Sequence, residues 1–146
     1  MAASHALSTA DRAGYLLKRA QSALGTALTE ALSEHGTTLP QYAVLVALDE
    51  EPGLSNADLA RRAFVTPQSM NQVLRDLEAR QLVLRKPDSD HGRVLPAHLT
   101  TAGHRVLRKC QRAVDAVEDR MLALLSPAQR RELVVLLRSC VAGLSD

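Results

Sequence analysis

The stretch Thr66-Pro-Gln-Ser-Met-Asn-Gln-Val-Leu-Arg-Asp-Leu-Glu-Ala-Arg80 decides the fold. Thr66 offers a side-chain oxygen to the orphan amides of a helix start, and Pro67 suits the first helical position, where an N–H would find no partner. Met70, Val73, Leu74 and Leu77 then recur at offsets of three and four, so one side of the helix is apolar and has to be buried. The spacing predicts a helix running to about Arg80. The same geometry fixes the opposite side: Gln68, Ser69, Asn71, Gln72 and Arg75 share an exposed arc of hydroxyl, amide and guanidinium groups. Such groups pair with base edges in a major groove or with phosphates. A lone amphipathic helix more often presents only a solvated face, so its neighbours must decide.

Upstream, Ser55 can cap a short helix in which Leu59 and Ala63 face inward, and a tight turn then leads to Thr66. Before it, Val44, Leu45 and Leu48 after Pro40 mark another short helix, ending near Glu50 ahead of Pro52 and Gly53. The first helix is longer. Ala13, Leu17, Ala20, Leu24, Leu28 and Ala31 form one apolar stripe over residues 10 to 35, with Thr9 as the expected cap and Gly36 as the stop. Downstream the period changes. Leu82, Val83 and Leu84 suit a strand, residues 87 to 92 are turn chemistry, and Leu95, Ala97 and Leu99 alternate, which predicts a hairpin with a polar tip. Pro96 is tolerated there if its missing amide faces outward. Val106, Cys110, Ala113, Val117, Met121 and Leu124 predict a helix from Thr101 to Leu125, roughly 37 Å long. Ser126 and Pro127 open a last helix carrying Leu133, Leu136, Leu137, Cys140, Val141 and Leu144. The expected fold is mainly α with one small β-hairpin.

Composition narrows the function. The 146 residues carry a formal charge of only +2, so a polyanionic partner has to be met by a local basic surface. Between residues 55 and 93 there are seven Lys or Arg against five acids, a modest excess. One Phe, two Tyr and no Trp argue against stacking on single-stranded bases. No apolar run reaches the roughly 20 residues of a membrane span and no export signal opens the chain, so a cytoplasmic protein is expected. Cys110 and Cys140, both among apolar residues, read as core thiols. No serine, histidine and acid stand at a nucleophile spacing and no glycine-rich phosphate loop occurs, so enzymatic activity is not expected. His98 and His104 lie close in sequence but lack a supporting thiol or carboxylate cluster; neither metal nor cofactor is expected. The terminal helices carry more apolar surface than the small middle unit, residues 40 to 99, can cover. Their stripes are best hidden by a second copy, making a homodimer.

Three runs together, Leu39-Pro-Gln-Tyr-Ala-Val-Leu-Val-Ala-Leu48, Leu54-Ser-Asn-Ala-Asp-Leu-Ala-Arg-Arg62 and Val65 through Arg80, resemble the MarR family of winged helix-turn-helix regulators. The likeness continues through Asp88-Ser-Asp-His-Gly-Arg93 and Leu99-Thr-Thr-Ala-Gly103, and so covers essentially the whole chain. It implies an obligate homodimer in which residues 8–36 and 101–146 supply long dimerisation helices, while residues 37–100 form the DNA-reading lobe of a single domain. It also implies a palindromic double-stranded operator, repression, and release by a small aromatic or anionic effector. By position, Thr66, Pro67, Gln68, Ser69, Asn71, Gln72 and Arg75 are the major-groove residues of a recognition helix, residues 66–80. Arg93 is the minor-groove arginine of a wing, residues 86–94, where a narrow groove concentrates negative potential. His91 and Gly92 depart from the usual Asp and Arg. Gln81 replaces a common Gly, at a cost of roughly 1 kcal/mol if its backbone is left-handed. Tyr15, Gln41 and Tyr42, polar-tipped residues on the first two helices, are candidates for an effector cleft. The competing reading is a dimeric protein-interaction module of the same fold that no longer binds specific DNA.

Overall fold

The computed structural model describes residues 8–86 and 96–145. A 3-10 turn, Thr9–Asp11, precedes α1 (Ala13–Ser33), α2 (Leu39–Glu50), α3 (Asn56–Arg62) and α4 (Pro67–Ala79). The hairpin strands β1 (Val83–Arg85) and β2 (Ala97–Leu99) follow, then α5 (Thr101–Met121) and α6 (Pro127–Ala142). The expected mainly α architecture with one hairpin is present.

Helix starts follow local chemistry. Ser55, Thr66, Thr100 and Ser126 each accept a hydrogen bond from the amide three residues on. Thr38 and Gln41 form a reciprocal capping box at α2. Thr9 departs from expectation: it sits in the 3-10 turn, capped by Ser8, and Arg12 leads into α1 without a side-chain cap. α5 also ends early, at Met121 rather than Leu125. The apolar repeat continues to Leu124, but Ser126 must be extended to cap α6, and Pro127 disfavours helix before it. Leu124 is consequently left 98% exposed.

The core gathers Val44, Leu45 and Leu48 of α2, Leu59 and Ala60 of α3, Met70, Leu74 and Leu77 of α4, Leu82, Val83 and Ala97 of the hairpin, and Leu107 of α5. The side of α4 assigned inward from its spacing is indeed buried, with Val73 half-buried. In the hairpin, Val83 pairs with Leu99, Leu84 with His98 and Arg85 with Ala97. The amide of Lys86 donates to the Pro96 carbonyl at 3.2 Å. Residues 86 and 96 are therefore a hydrogen-bonded pair, and the missing N–H of Pro96 falls on the ladder side rather than outward. On the far edge of β2, the Gly53 amide donates to the Ala97 carbonyl (2.9 Å) and the Ala97 amide to the Leu54 carbonyl (3.4 Å). The tip, residues 87 to 95 with Arg93, His91 and Gly92, lies outside the described residues.

Two backbone positions set the joint between α4 and α5. Gln81 has φ +56°, the left-handed conformation anticipated for this site. Its carbonyl accepts the Thr100 hydroxyl at 2.6 Å, so the turn after α4 is tied to the cap of α5. Gly103 lies against Leu82 so closely that a Cβ there would fall under 3.0 Å from the Leu82 carbonyl oxygen.

The terminal helices are incompletely covered. α1 packs along α5, but residues 11 to 23 are all exposed. No residue of α6 is buried, and Val135, Leu136, Val141 and Leu144 are each more than half exposed. Cys140 is exposed as well, correcting its assignment as a core thiol; Cys110 is buried and donates its S–H toward the Thr37 hydroxyl at 3.5 Å. The cause is simple: α6 has an apolar face, and no described element of its own chain buries it. No helix among the described residues is long and apolar enough to cross a membrane.

Candidate nucleic-acid interface

The α3–turn–α4 unit holds its polar arc rigidly. The Thr66 hydroxyl oxygen accepts the Ser69 amide (3.1 Å) and its proton is directed at the Ser69 Oγ (3.0 Å), fixing the first turn of α4. The Asn56 amide nitrogen donates to the Pro67 carbonyl (3.3 Å), linking the start of α3 to the start of α4. With Met70, Leu74 and Leu77 anchored in the core, Thr66, Pro67, Gln68, Ser69, Asn71, Gln72 and Arg75 all come out exposed.

Those side chains are not equivalent. Arg75 donates to the Gln72 Oε1 and Gln72 in turn donates to Asp76, both at 2.8 Å, so the three form a row along the outer face. Gln72 presents an amide already oriented by its neighbours. Gln68 and Asn71 make no hydrogen bond with another described side chain, and their amides are ready for outside partners. α4 also directs the positive end of its backbone dipole outward beside Thr66, which favours an anion there.

The cations counted from the sequence are distributed differently from that count. Arg85 grips Glu78 with two hydrogen bonds, at 2.9 and 2.8 Å, and this pairing raises its already high pKa further, against the opposing effect of burial. Arg61 pairs with Asp58, Arg62 with Glu51, and Arg80 donates to the side-chain Oε1 of Gln41 at 3.4 Å. Asp58 is held below the usual carboxylate range, first by the Ser55 hydroxyl and then by Arg61. Arg85 thus belongs to the joint between hairpin and α4 rather than to a free basic rim. The sequence could not show this, because Glu78 and Arg85 meet only once the chain has turned at Gln81.

The three effector candidates do not converge within one chain. Gln41 is buried, with its Oε1 accepting both the Thr38 amide and Arg80. Tyr15 is 44% exposed on α1, beneath the Arg19 guanidinium. Only Tyr42 lines a hollow, about 480 Å³ in volume, between α2 and the α3–α4 turn. Burial, followed by the charges of Asp115, Cys110 and Glu118, pushes the Tyr42 hydroxyl up, so it remains a donor. The opposite wall is Phe64, missed in the sequence reading: the chain's one phenylalanine is 96% exposed and has φ +55°. Its signal was a large apolar residue placed in a turn two residues before a helix cap.

With this geometry in place, likeness to known proteins settles the family. The MarR family model matches residues 35–94. The chain is 45% identical over 119 residues to the HTH-type transcriptional repressor Rv2887 of Mycobacterium tuberculosis, covering 82% of this chain and 86% of that protein. The chain belongs to the MarR family. Among solved structures, that of Rv2887 with salicylic acid superposes on this MarR-family chain with a TM-score of 0.76 at 44% identity, covering 90% of this chain and 98% of the other. The structure of Rv2887 with DNA gives 0.75 at 40% identity, over 88% and 97%. The PcaV regulator of Streptomyces coelicolor, bound to its natural ligand, gives 0.79 at 31%, over 97% and 99%. This MarR-family chain is thus a transcriptional regulator with the winged-helix fold.

Proposed function

We propose that the chain is a homodimeric, ligand-responsive repressor that binds palindromic double-stranded DNA in the cytoplasm and catalyses no reaction. Residues 37–100 form the reading lobe, and residues 8–36 and 101–146 the dimerisation helices. α4 lies in the major groove through Thr66, Pro67, Gln68, Ser69, Asn71, Gln72 and Arg75, and the segment 86–94 reaches the minor groove through Arg93. One observation carries the reading: Met70, Leu74 and Leu77 of α4 are fully buried while Gln68, Ser69, Asn71, Gln72 and Arg75 on the opposite arc are all exposed. Salicylic acid and DNA, the partners of Rv2887 in its solved complexes, give the chemistry expected of effector and target.

The mechanism is geometric. Two α4 helices related by a dyad read successive major grooves only when held about 34 Å apart. An effector that favours a differently spaced dimer lowers affinity by its differential binding to the two spacings. Tyr15, Gln41 and Tyr42 remain the effector residues under this proposal, Gln41 acting through the orientation of the α2 start rather than by direct contact.

The test is a gel shift of the purified protein on the DNA flanking its own reading frame, at two salt concentrations, repeated with salicylate. The expected result is a shift that weakens steeply with salt, as release of counterions from several phosphates requires, and that salicylate relieves. A protein that is dimeric but never retards this DNA, or does so without salt dependence, would identify a protein-interaction module instead.

A further inference from the structure

The outward face of α4 carries an acid that attraction to DNA does not explain. Gln72, Arg75 and Asp76 stand at offsets of three and four, so they share one face of the helix, and all three are exposed. Arg75 is the one cation between Thr66 and Ala79, and Asp76 offsets its charge. Glu78, the other acid of that stretch, is taken up by Arg85, whereas Asp76 forms no ion pair among the described residues. A carboxylate in this place repels phosphates and lowers affinity for a duplex of any sequence. Its hydrogen bond supplies what its charge does not. The Asp76 Oδ1 accepts the Gln72 Nε2–H at 2.8 Å, while the Gln72 Oε1 accepts Arg75 at 2.8 Å. A carboxylate can only accept and a guanidinium can only donate, so this row fixes which way round the Gln72 amide lies. The flipped amide would set acceptor against acceptor at Asp76 and donor against donor at Arg75. Gln72 keeps one N–H and one lone pair, presented in a fixed order to a base edge.

We propose that Asp76 is a positioning residue for base recognition: through its hydrogen bond it sets the order of donor and acceptor that Gln72 shows to the major groove, and through its charge it weakens binding to unrelated DNA. The proposal rests on the DNA-reading function given above and deepens it. Base edges differ in the order of their donors and acceptors, so an amide held one way round matches some edges and mismatches others, whereas an amide free to flip accepts both orders. Holding the side chain before DNA arrives also removes part of the ordering cost from the binding step. The two effects act in one direction. Asp76 gives up affinity shared by all sequences and sharpens the difference between them, which is the quantity that selects an operator from a genome.

The test selects bound duplexes from a random pool with the full-length protein and its variants, then measures affinity for the selected duplex, its single-base variants and an unrelated duplex. The wild type should select a sequence with a base position whose preference Gln72→Ala abolishes. Asp76→Ala should weaken discrimination at that same position about fivefold, the lower end of what a two-bonded base contact supplies. It should also strengthen binding to the unrelated duplex about threefold, the scale of one unit charge in water near a phosphate. Asp76→Asn separates the two effects, because its side-chain carbonyl still accepts from Gln72: discrimination should stay, while binding to the unrelated duplex rises. With Gln72→Ala already present, adding Asp76→Ala should leave base preference unchanged. A merely structural role for Asp76 would lower the melting temperature and weaken binding to both duplexes together. The proposal is overturned if the wild type selects a sequence in which no position depends on Gln72, or if Asp76→Ala keeps full discrimination there. A wild type that selects no sequence at all refutes the DNA-reading function itself, so the two failures are told apart.

Discussion

Gly103→Ala should destabilise the protein, although the same change at Gly25 should stabilise it. Both glycines lie inside long helices, where alanine is favoured over glycine by about 1 kcal/mol. At Gly25 a Cβ meets nothing of its own chain within 4 Å, so that full gain should appear. At Gly103 the new carbon would fall under 3.0 Å from the Leu82 carbonyl oxygen and 3.1 Å from its carbonyl carbon, whereas ordinary contact begins at 3.4 Å. Both obstacles are backbone, and they cannot rotate away. The Leu82 oxygen also accepts the Thr100 amide at 3.0 Å, and Thr100 caps α5, so separating helix from strand strains the cap. Overpacking of this kind costs about 1–3 kcal/mol, and the upper end applies where neither side yields. After subtracting the helix gain, a net loss of about 2 kcal/mol is expected, or a fall of roughly 4–8 °C in Tm at this chain length. Gly25→Ala should rise by about 2–4 °C. Thermal unfolding by circular dichroism, at one protein concentration because the dimer couples Tm to concentration, measures both. Equal or like-signed shifts would show that α5 does not lie against Leu82 as described.

Gln81→Gly should raise stability by about 0.5–1 kcal/mol in denaturant titration, since φ +56° is relieved and only the backbone of Gln81 is used. A loss would mean that the Gln81 side chain has an unseen partner. Asn71→Ala should cost about 1–3 kcal/mol per half-site in DNA affinity while changing unfolding by no more than about 0.5 kcal/mol, because Asn71 is exposed and makes no side-chain bond within the described residues; binding isotherms beside melts separate the two. Asp58 has a lowered folded pKa, so its contribution is present above the unfolded carboxylate value and is lost as pH falls through the folded one. Asp58→Asn should therefore lower stability at neutral pH and flatten the acid limb of the profile, since the contribution that acid removes is already gone. Arg85→Ala should destabilise by about 1 kcal/mol, the value of a half-buried, two-bonded guanidinium–carboxylate pair, and Glu78→Gln should lose a similar amount.

Much of this molecule could be read in its sequence because its decisive features are local. Thr66 with Pro67, Ser55, and Ser126 with Pro127 set helix starts through hydrogen bonds that span three residues, and Met70, Leu74 and Leu77 turn α4 by periodicity alone. The exposed arc follows once the buried one is known. Where the reading strayed, the cause was contact between distant parts. Arg85 is withdrawn into a pair with Glu78 by a turn at Gln81, and Gln41 is consumed by Thr38 and Arg80. The periodicity of α6 is that of a buried helix, yet it carries no information on which chain buries it, so Cys140 was placed in a core that a single copy does not possess. Pro96 shows the same limit at smaller scale: its place on the ladder depends on strand register, which alternation of side chains leaves undetermined.

The joint made by Glu78 with Arg85, and by Gln81 with Thr100, clamps three elements of the lobe at one corner. A clamped corner makes the lobe a stiff paddle. Whatever signal arrives from the long helices must then swing the paddle as a unit, and its blade travels farther than its root, so a small tilt near the handle can carry α4 out of register with its groove.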